Sequence, residues 1–184
     1  MIKLAKDNIL LEIPTQQFNF DDPQMDPEEL RDTLISHIKH YNGPGISANQ
    51  IGLPYSVFAL NSDPFLVCFN PIITYESDET ETLEEYDLSY PGLVLKMKRP
   101  KLIRARFADP AGNIGAHKFQ GLTARYFIHH NDWLHGISFL KIARRFHKEA
   151  AIKRLTKLQK YNNIEQIRIE ENLAYESKMK KETV

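Results

Sequence analysis

A chain of 184 residues with 42% apolar side chains is long enough to bury a core and reads as one domain with an appendage. No run approaches the roughly 20 apolar residues of a membrane span, so no membrane role is expected, and a single cysteine excludes an internal disulfide. Formal net charge is zero, but from Lys141 to Val184 there are 12 Lys/Arg against 6 Asp/Glu, which makes the last quarter basic and the rest acidic.

Met1 to Asp7 lack a long apolar stretch and a small-residue cleavage site, so no secretion signal is read and a cytoplasmic, reducing compartment is expected. Residues 7 to 13 look extended, closed by Pro14. A helix then starts with Asp26 as N-cap, Pro27 at the first helical position and Glu29 three residues after the cap. Leu30, Leu34 and Ile38 share one face, and Asn42-Gly43 is the stop. From residue 56 the pattern suits strands: Ser56 to Leu60, Phe65 to Phe69, Leu93 to Met97, Leu102 to Phe107, then a turn at Asp109 to Asn113 and a further strand to Phe119. Cys68 sits in the second of these, as an inert core thiol rather than a nucleophile. The acidic stretch Glu76 to Glu81 reads as a solvated loop. A second helix follows Gly121, with Leu122, Tyr126, His129 and Trp133 on one face, and Gly136 ends it. Ile137 to Leu140 is apolar enough to return to the sheet. The remainder is helical, with an apolar stripe of Ile152, Leu155 and Leu158 and a break at Tyr161-Asn162-Asn163.

Three segments stand out: Gly43 to Gly52, Glu85 to Gly92 and Phe127 to Gly136. The last is a near miss to the H-E-x-x-H helix of zinc hydrolases, in which two His at i and i+4 hold the metal and the Glu is the general base. His129 takes the first position, His130 stands where the Glu would be, and Trp133 stands at i+4. Trp has no lone pair for a metal. His130 points about 100° away from His129 on the helix, so the two do not readily share one metal.

Together the three segments resemble the peptide deformylase family, metal-dependent amidases that remove the formyl group from new polypeptides. The family's G-x-G-x-A-A-x-Q-x-G segment is similar to Gly43, Gly45, Ala48, Gln50 and Gly52, with Ser47 at its other small-residue position. Its E-G-C-L-S-x-P-G segment is similar to Glu85, Leu88, Ser89, Pro91 and Gly92. Its H-E-x-D-H-L-x-G helix is similar to His129, Asp132, Leu134 and Gly136, and Asn70-Pro71 and Arg99-Pro100 also fit. The resemblance implies an α+β fold with mixed or antiparallel sheets around a central motif-bearing helix. It covers about Lys3 to Arg145, so residues 1–147 are expected to form the deformylase-like domain and 148–184 a basic helical extension.

The departures fall on the chemistry. By the resemblance, Asp87, His129 and Trp133 occupy the metal-ligand positions, His130 that of the acid/base Glu, and Gln50 with the Leu88 backbone N–H those that stabilise the oxyanion. Gly43, Gly45, Ile46, Glu85 and Tyr86 are expected to line the cleft, with Tyr86 in place of a Gly. Trp133 is expected to fill the pocket, leaving Asp87 and His129 hydrogen-bonded to each other. No metal and no nucleotide cofactor is expected; iron, zinc or nickel enters only in the alternative, a divergent active deformylase. The leading expectation is an inactive relative serving as a binding or structural subunit of a larger assembly. The family's C-terminal helix is associated with docking near the ribosome's peptide exit, so the resemblance makes rRNA one partner for the basic tail, the alternative being a solvated helix packed on its own domain. A virion component of a phage is the other assembly, which would move the expected location from cytoplasm to virion. Composition does not choose between them.

Overall fold

The computed structural model describes residues 9–182. Residues up to Ala143 make one compact unit, and those from Arg144 onward make a second. In chain order the elements are α1 (Pro27–Tyr41), β1 (Gly45–Ser47), β2 (Val57–Leu60), β3 (Leu66–Glu76), β4 (Thr80–Tyr86), β5 (Val94–Pro100), β6 (Leu102–Ala108), β7 (Ile114–Gln120), α2 (Gly121–Leu134), α3 (Phe139–Ile142) and α4 (Arg145–Glu182). Short 3₁₀ turns occupy Ile9–Leu11 and Ala48–Ile51.

Helix α1 begins where capping chemistry puts it. The Asp26 carboxylate accepts from Glu28 N–H at 2.8 Å, Pro27 takes the first helical position, and Asn42 ends the helix in the left-handed region at φ 50°. Leu30, Leu34 and Ile38 are fully buried against β1, β2 and β3. The main sheet runs β1-β2-β3-β6-β7, and β4 and β5 form a separate hairpin. Every strand pairing is antiparallel.

Strand β2 shows why the sheet lies between two helices. Val57 and Ala59 belong to the cluster under α1, while Phe58 and Leu60 belong to the cluster under α2, with Phe127 and Ile128. Alternate residues leave opposite faces of a strand, so a wholly apolar run is buried on both sides. Cys68 packs in the α2 cluster, and burial pushes its thiol well above the usual range.

Several local expectations are corrected. Ile9–Leu11 is a 3₁₀ turn, not extended chain. Only residues 77–79 of the acidic stretch form the turn; Thr80 and Glu81 already belong to β4, where a run with a single aliphatic residue, Leu83, is carried by its register with β5. Ile137 to Leu140 does not return to the sheet; Phe139 opens α3 and is buried. Leu122 is exposed in the first turn of α2. Helix α4 begins at Arg145 and runs through Tyr161-Asn162-Asn163 without a break, because Asn costs a helix only a few tenths of a kcal/mol, about the same as most polar residues. Among the described residues no helix is long and apolar enough to cross a membrane.

Leu34→Ala opens a cavity beneath α1 and is expected to cost about 2–5 kcal/mol in urea unfolding. Ile114→Ala, at a side chain 67% exposed, is expected to cost less than about 0.5 kcal/mol in the same assay.

Candidate functional site

Three elements converge on Asp87, which follows β4 and is 5% exposed. The 3₁₀ turn Ala48–Ile51 delivers Gln50. Its Oε1 accepts from Ser47 N–H at 2.9 Å, which fixes the amide so that Nε2 faces inward. Nε2 donates to both Asp87 oxygens, at 3.2 and 3.1 Å, and to Ser89 Oγ at 3.0 Å. Ser89 N–H donates to Asp87 Oδ1 at 2.7 Å, closing a tight turn. Helix α2 supplies the remaining donors one turn apart: His129 Nε2 lies 2.8 Å and Trp133 Nε1 2.7 Å from Asp87 Oδ2. Tyr90 stacks on the Trp133 indole at 6.1 Å between centroids.

His129 has an acceptor at each end. Its Nδ1 lies 3.1 Å from Glu85 Oε2, and ionised carboxylates can only accept. Both ring nitrogens therefore carry hydrogen, and the ring is an imidazolium. Burial opposes that charge, but the bonds to Asp87 and Glu85 outweigh it and raise the pKa to about 9. Burial works against the Asp87 carboxylate too, yet His129 and Trp133 hold it below its ordinary value.

The charge continues outward from Glu85. Arg99 grips it through Nε at 3.0 Å and Nη2 at 3.1 Å, and Arg125 Nη1 adds a bond at 2.8 Å. Against burial, the His129 and Arg99 bonds bring Glu85 down to about 2. Arg99 Nη1 also reaches Asp132 at 2.6 Å; burial dominates there and leaves that carboxyl raised. Arg125 further donates to the Met97 and Glu81 carbonyls. Glu85, Asp87 and Asp132 are thus matched by Arg99, Arg125 and His129. Buried charge is tolerable where it is paired and hydrogen-bonded, and this network is neutral.

His130 stands apart from it. Its Nδ1 lies 3.0 Å from Ser47 Oγ, and its Nε2 has no hydrogen-bond partner. That nitrogen lies over Gly45, where a Cβ would come within 2.5 Å of it. Burial first, then the His129 cation, push its pKa down to about 3. The ring is a neutral imidazole addressing Ser47 and Gly45, not Asp87.

The residues do not fit the family's metal. Trp133 has no lone pair for a metal, which leaves Asp87 and His129 as two donors where a catalytic site takes three, and these two are hydrogen-bonded to each other at 2.8 Å. Among the described residues no group of three His, Cys, Asp or Glu side chains is placed to hold an ion.

Of the expected site residues, Gln50, Asp87, His129 and Trp133 meet directly. Gly43, Gly45, Ile46 and Glu85 are buried, Tyr86 is 50% exposed, and Leu88 packs beside the α1 cluster above Gly43. Sequence reading missed Arg125 and the inward role of Arg99. Both had a signal: Arg99 shares the inward parity of Leu95 and Met97 on β5, and Arg125 sits between Ala124 and Phe127 on the buried side of α2.

The opposite shifts of the two histidines lead to an expected pH optimum for stability. His129, raised, stabilises the fold fully below its unfolded value of 6.5 and loses that contribution as pH rises toward about 9. His130, lowered, favours the fold above 6.5, and that contribution is lost as pH falls toward about 3. Stability is expected to peak near pH 6.5 and to fall by about 1.4 kcal/mol per pH unit on either side. Denaturant melts from pH 5 to 9 check this, and His130→Asn is expected to flatten the slope between about pH 5 and 6.5.

The profile of the family described as Polypeptide deformylase matches residues 1–149. The peptide deformylase of Thermotoga petrophila is 30% identical over 138 residues, 74% of this chain and 82% of that protein. A peptide deformylase-like protein of Rhizobium meliloti is 30% identical over 135 residues, 72% and 78% respectively. The match to the Thermotoga neapolitana peptide deformylase, 33% identical over 106 residues, covers 56% of this chain and 64% of that protein. The crystal structure of a Synechococcus elongatus peptide deformylase in complex with actinonin shares the fold with a TM-score of 0.75 at 25% identity, covering 84% of this chain and 86% of its own. Sequence match, fold and the placement of the three motif segments agree: the chain belongs to the polypeptide deformylase family.

Proposed function

We propose that this protein is a deformylase-family member that works by binding, as a subunit of a larger assembly, and not by hydrolysis. The observation that carries this reading is the closure of the ligand positions on one another: Asp87 Oδ2 accepts from both His129 and Trp133. Metal-assisted amide hydrolysis needs an ion with an open position and a group that moves a proton beside it. Here the ligand positions are mutually satisfied, and the acid/base position holds a neutral imidazole turned toward Ser47. The basic excess from Lys141 to Val184 supports a docking role for the C-terminal unit, with rRNA phosphates as the partner its charge suits. A structural place in a virus particle is the other assembly of this kind.

Purified protein is expected to carry no stoichiometric iron, nickel or zinc by elemental analysis and to release no formate from a formyl-methionyl peptide. Stoichiometric metal together with formate release would establish the alternative, a divergent active deformylase. For the tail, a chain lacking residues 148–184 is expected to melt cooperatively and to lose salt-dependent binding to rRNA in a filter assay. Undiminished binding would remove the tail from that role.

A further inference from the structure

Strand β3 is paired along only part of one edge. β2 covers it from Leu66 to Phe69 and stops, while β6 continues along the opposite edge as far as Glu76. Among the described residues no strand pairs with Ile72 to Glu76 on the β2 side. Asn70, at φ 50°, marks the departure: its side chain accepts from Phe18 N–H at 2.7 Å and donates to Phe18 O at 2.8 Å. Two register shifts against β6 follow, and such irregularities bend a strand.

A cavity of about 450 Å³ lies beside this half of β3, lined by residues 71–76 and, on the α2 side, by Asn131, Asp132 and His135. Six consecutive strand residues line it, where a cavity on one face of the sheet would touch alternate ones. The cavity therefore runs along the strand's open edge. Its acidic groups are Glu76, exposed at the strand end, and, on the far wall, Asp132, whose Oδ2 pairs with Arg99. Among the described residues no Lys or Arg lines it. Ile72 and Tyr75, both about half exposed, offer apolar contact.

We propose that this groove binds an extended peptide segment carrying a Lys or Arg side chain, which adds as a strand to β3 and places its cation against Glu76 and Asp132. Main-chain hydrogen bonds to an open edge supply affinity in this mode, and alternate side chains supply selectivity. The site meets the Asp87 network only through the Asp132–Arg99 ion pair and uses none of the former ligand positions, so it stands whether or not the chain hydrolyses anything.

The test is an NMR titration of the ¹⁵N-labelled full chain with a blocked hexapeptide alternating valine and threonine around one central lysine. Shifts concentrated on the amides of residues 72–76, with binding at least tenfold weaker when glutamate replaces the lysine, are expected. The same lysine peptide with alternate amides N-methylated, which cannot pair as a strand, is expected to lose binding. Ile72→Lys, at an exposed position that leaves the core intact, is expected to weaken the lysine peptide at least fivefold with an unchanged melting temperature. Equal binding of the glutamate or N-methylated peptides overturns the proposal. So does no binding at millimolar peptide, or a self-associated chain whose 72–76 amides are already protected from exchange.

Discussion

One carboxylate oxygen organises the centre of this molecule. Asp87 Oδ2 is buried and accepts from an imidazolium and an indole that lie one turn apart on the same helix. An uncompensated carboxylate there would cost several kcal/mol in desolvation, so the neighbours are constrained in turn. His129 donates to Asp87 through Nε2, and because its Nδ1 faces a second carboxylate, Glu85, the ring has to be charged to donate at both ends. Glu85 draws in Arg99 and Arg125, and Arg99 ties α2 back through Asp132. The ion pairs join hairpin β4–β5 to α2.

The same constraint accounts for the two histidines behaving oppositely in adjacent positions. Successive helical residues point about 100° apart, so His129 faces two carboxylates while His130 faces Ser47 and the bare backbone of Gly45. A cation beside it and no acceptor for Nε2 leave His130 neutral. Gly45 has no room for a side chain under that ring, which gives a packing reason for glycine at this place in the first motif segment.

The sequence was most legible where periodicity and capping agree. Asp26-Pro27, the stripe of Leu30, Leu34 and Ile38, and Asn42 placed α1 within its observed bounds. Asp87, His129 and Trp133 were recognisable as one site because spacing within three segments resembled a family, and the Asp87–His129 bond follows from burying both. Strand β4 was not legible: its inward Glu85 is charged, and only the arginines that meet it make such a residue compatible with a core. The short helix at Phe139 was lost to the opposite error, since four apolar residues in a row suit a strand and a buried helix turn equally.

Gln50 shows why a motif residue can stand in place without its reaction. The resemblance to the family's motif implies an amide at this position that would face a transient oxyanion. Here it faces a permanent one, the Asp87 carboxylate, at 3.1 and 3.2 Å. Its Oε1 meanwhile accepts from the Ser47 backbone N–H, so the side chain bridges β1 and the site whether or not substrate arrives. Exchanging Gln50 for an apolar residue would strand a buried N–H and part of a buried carboxylate, the costly direction for hydrogen bonds. Residues that match the family at Gly45, Gln50 and His129 are thus each held by a present structural need. Their match is evidence of shared fold and ancestry, while evidence of catalysis has to come from the ligand positions themselves.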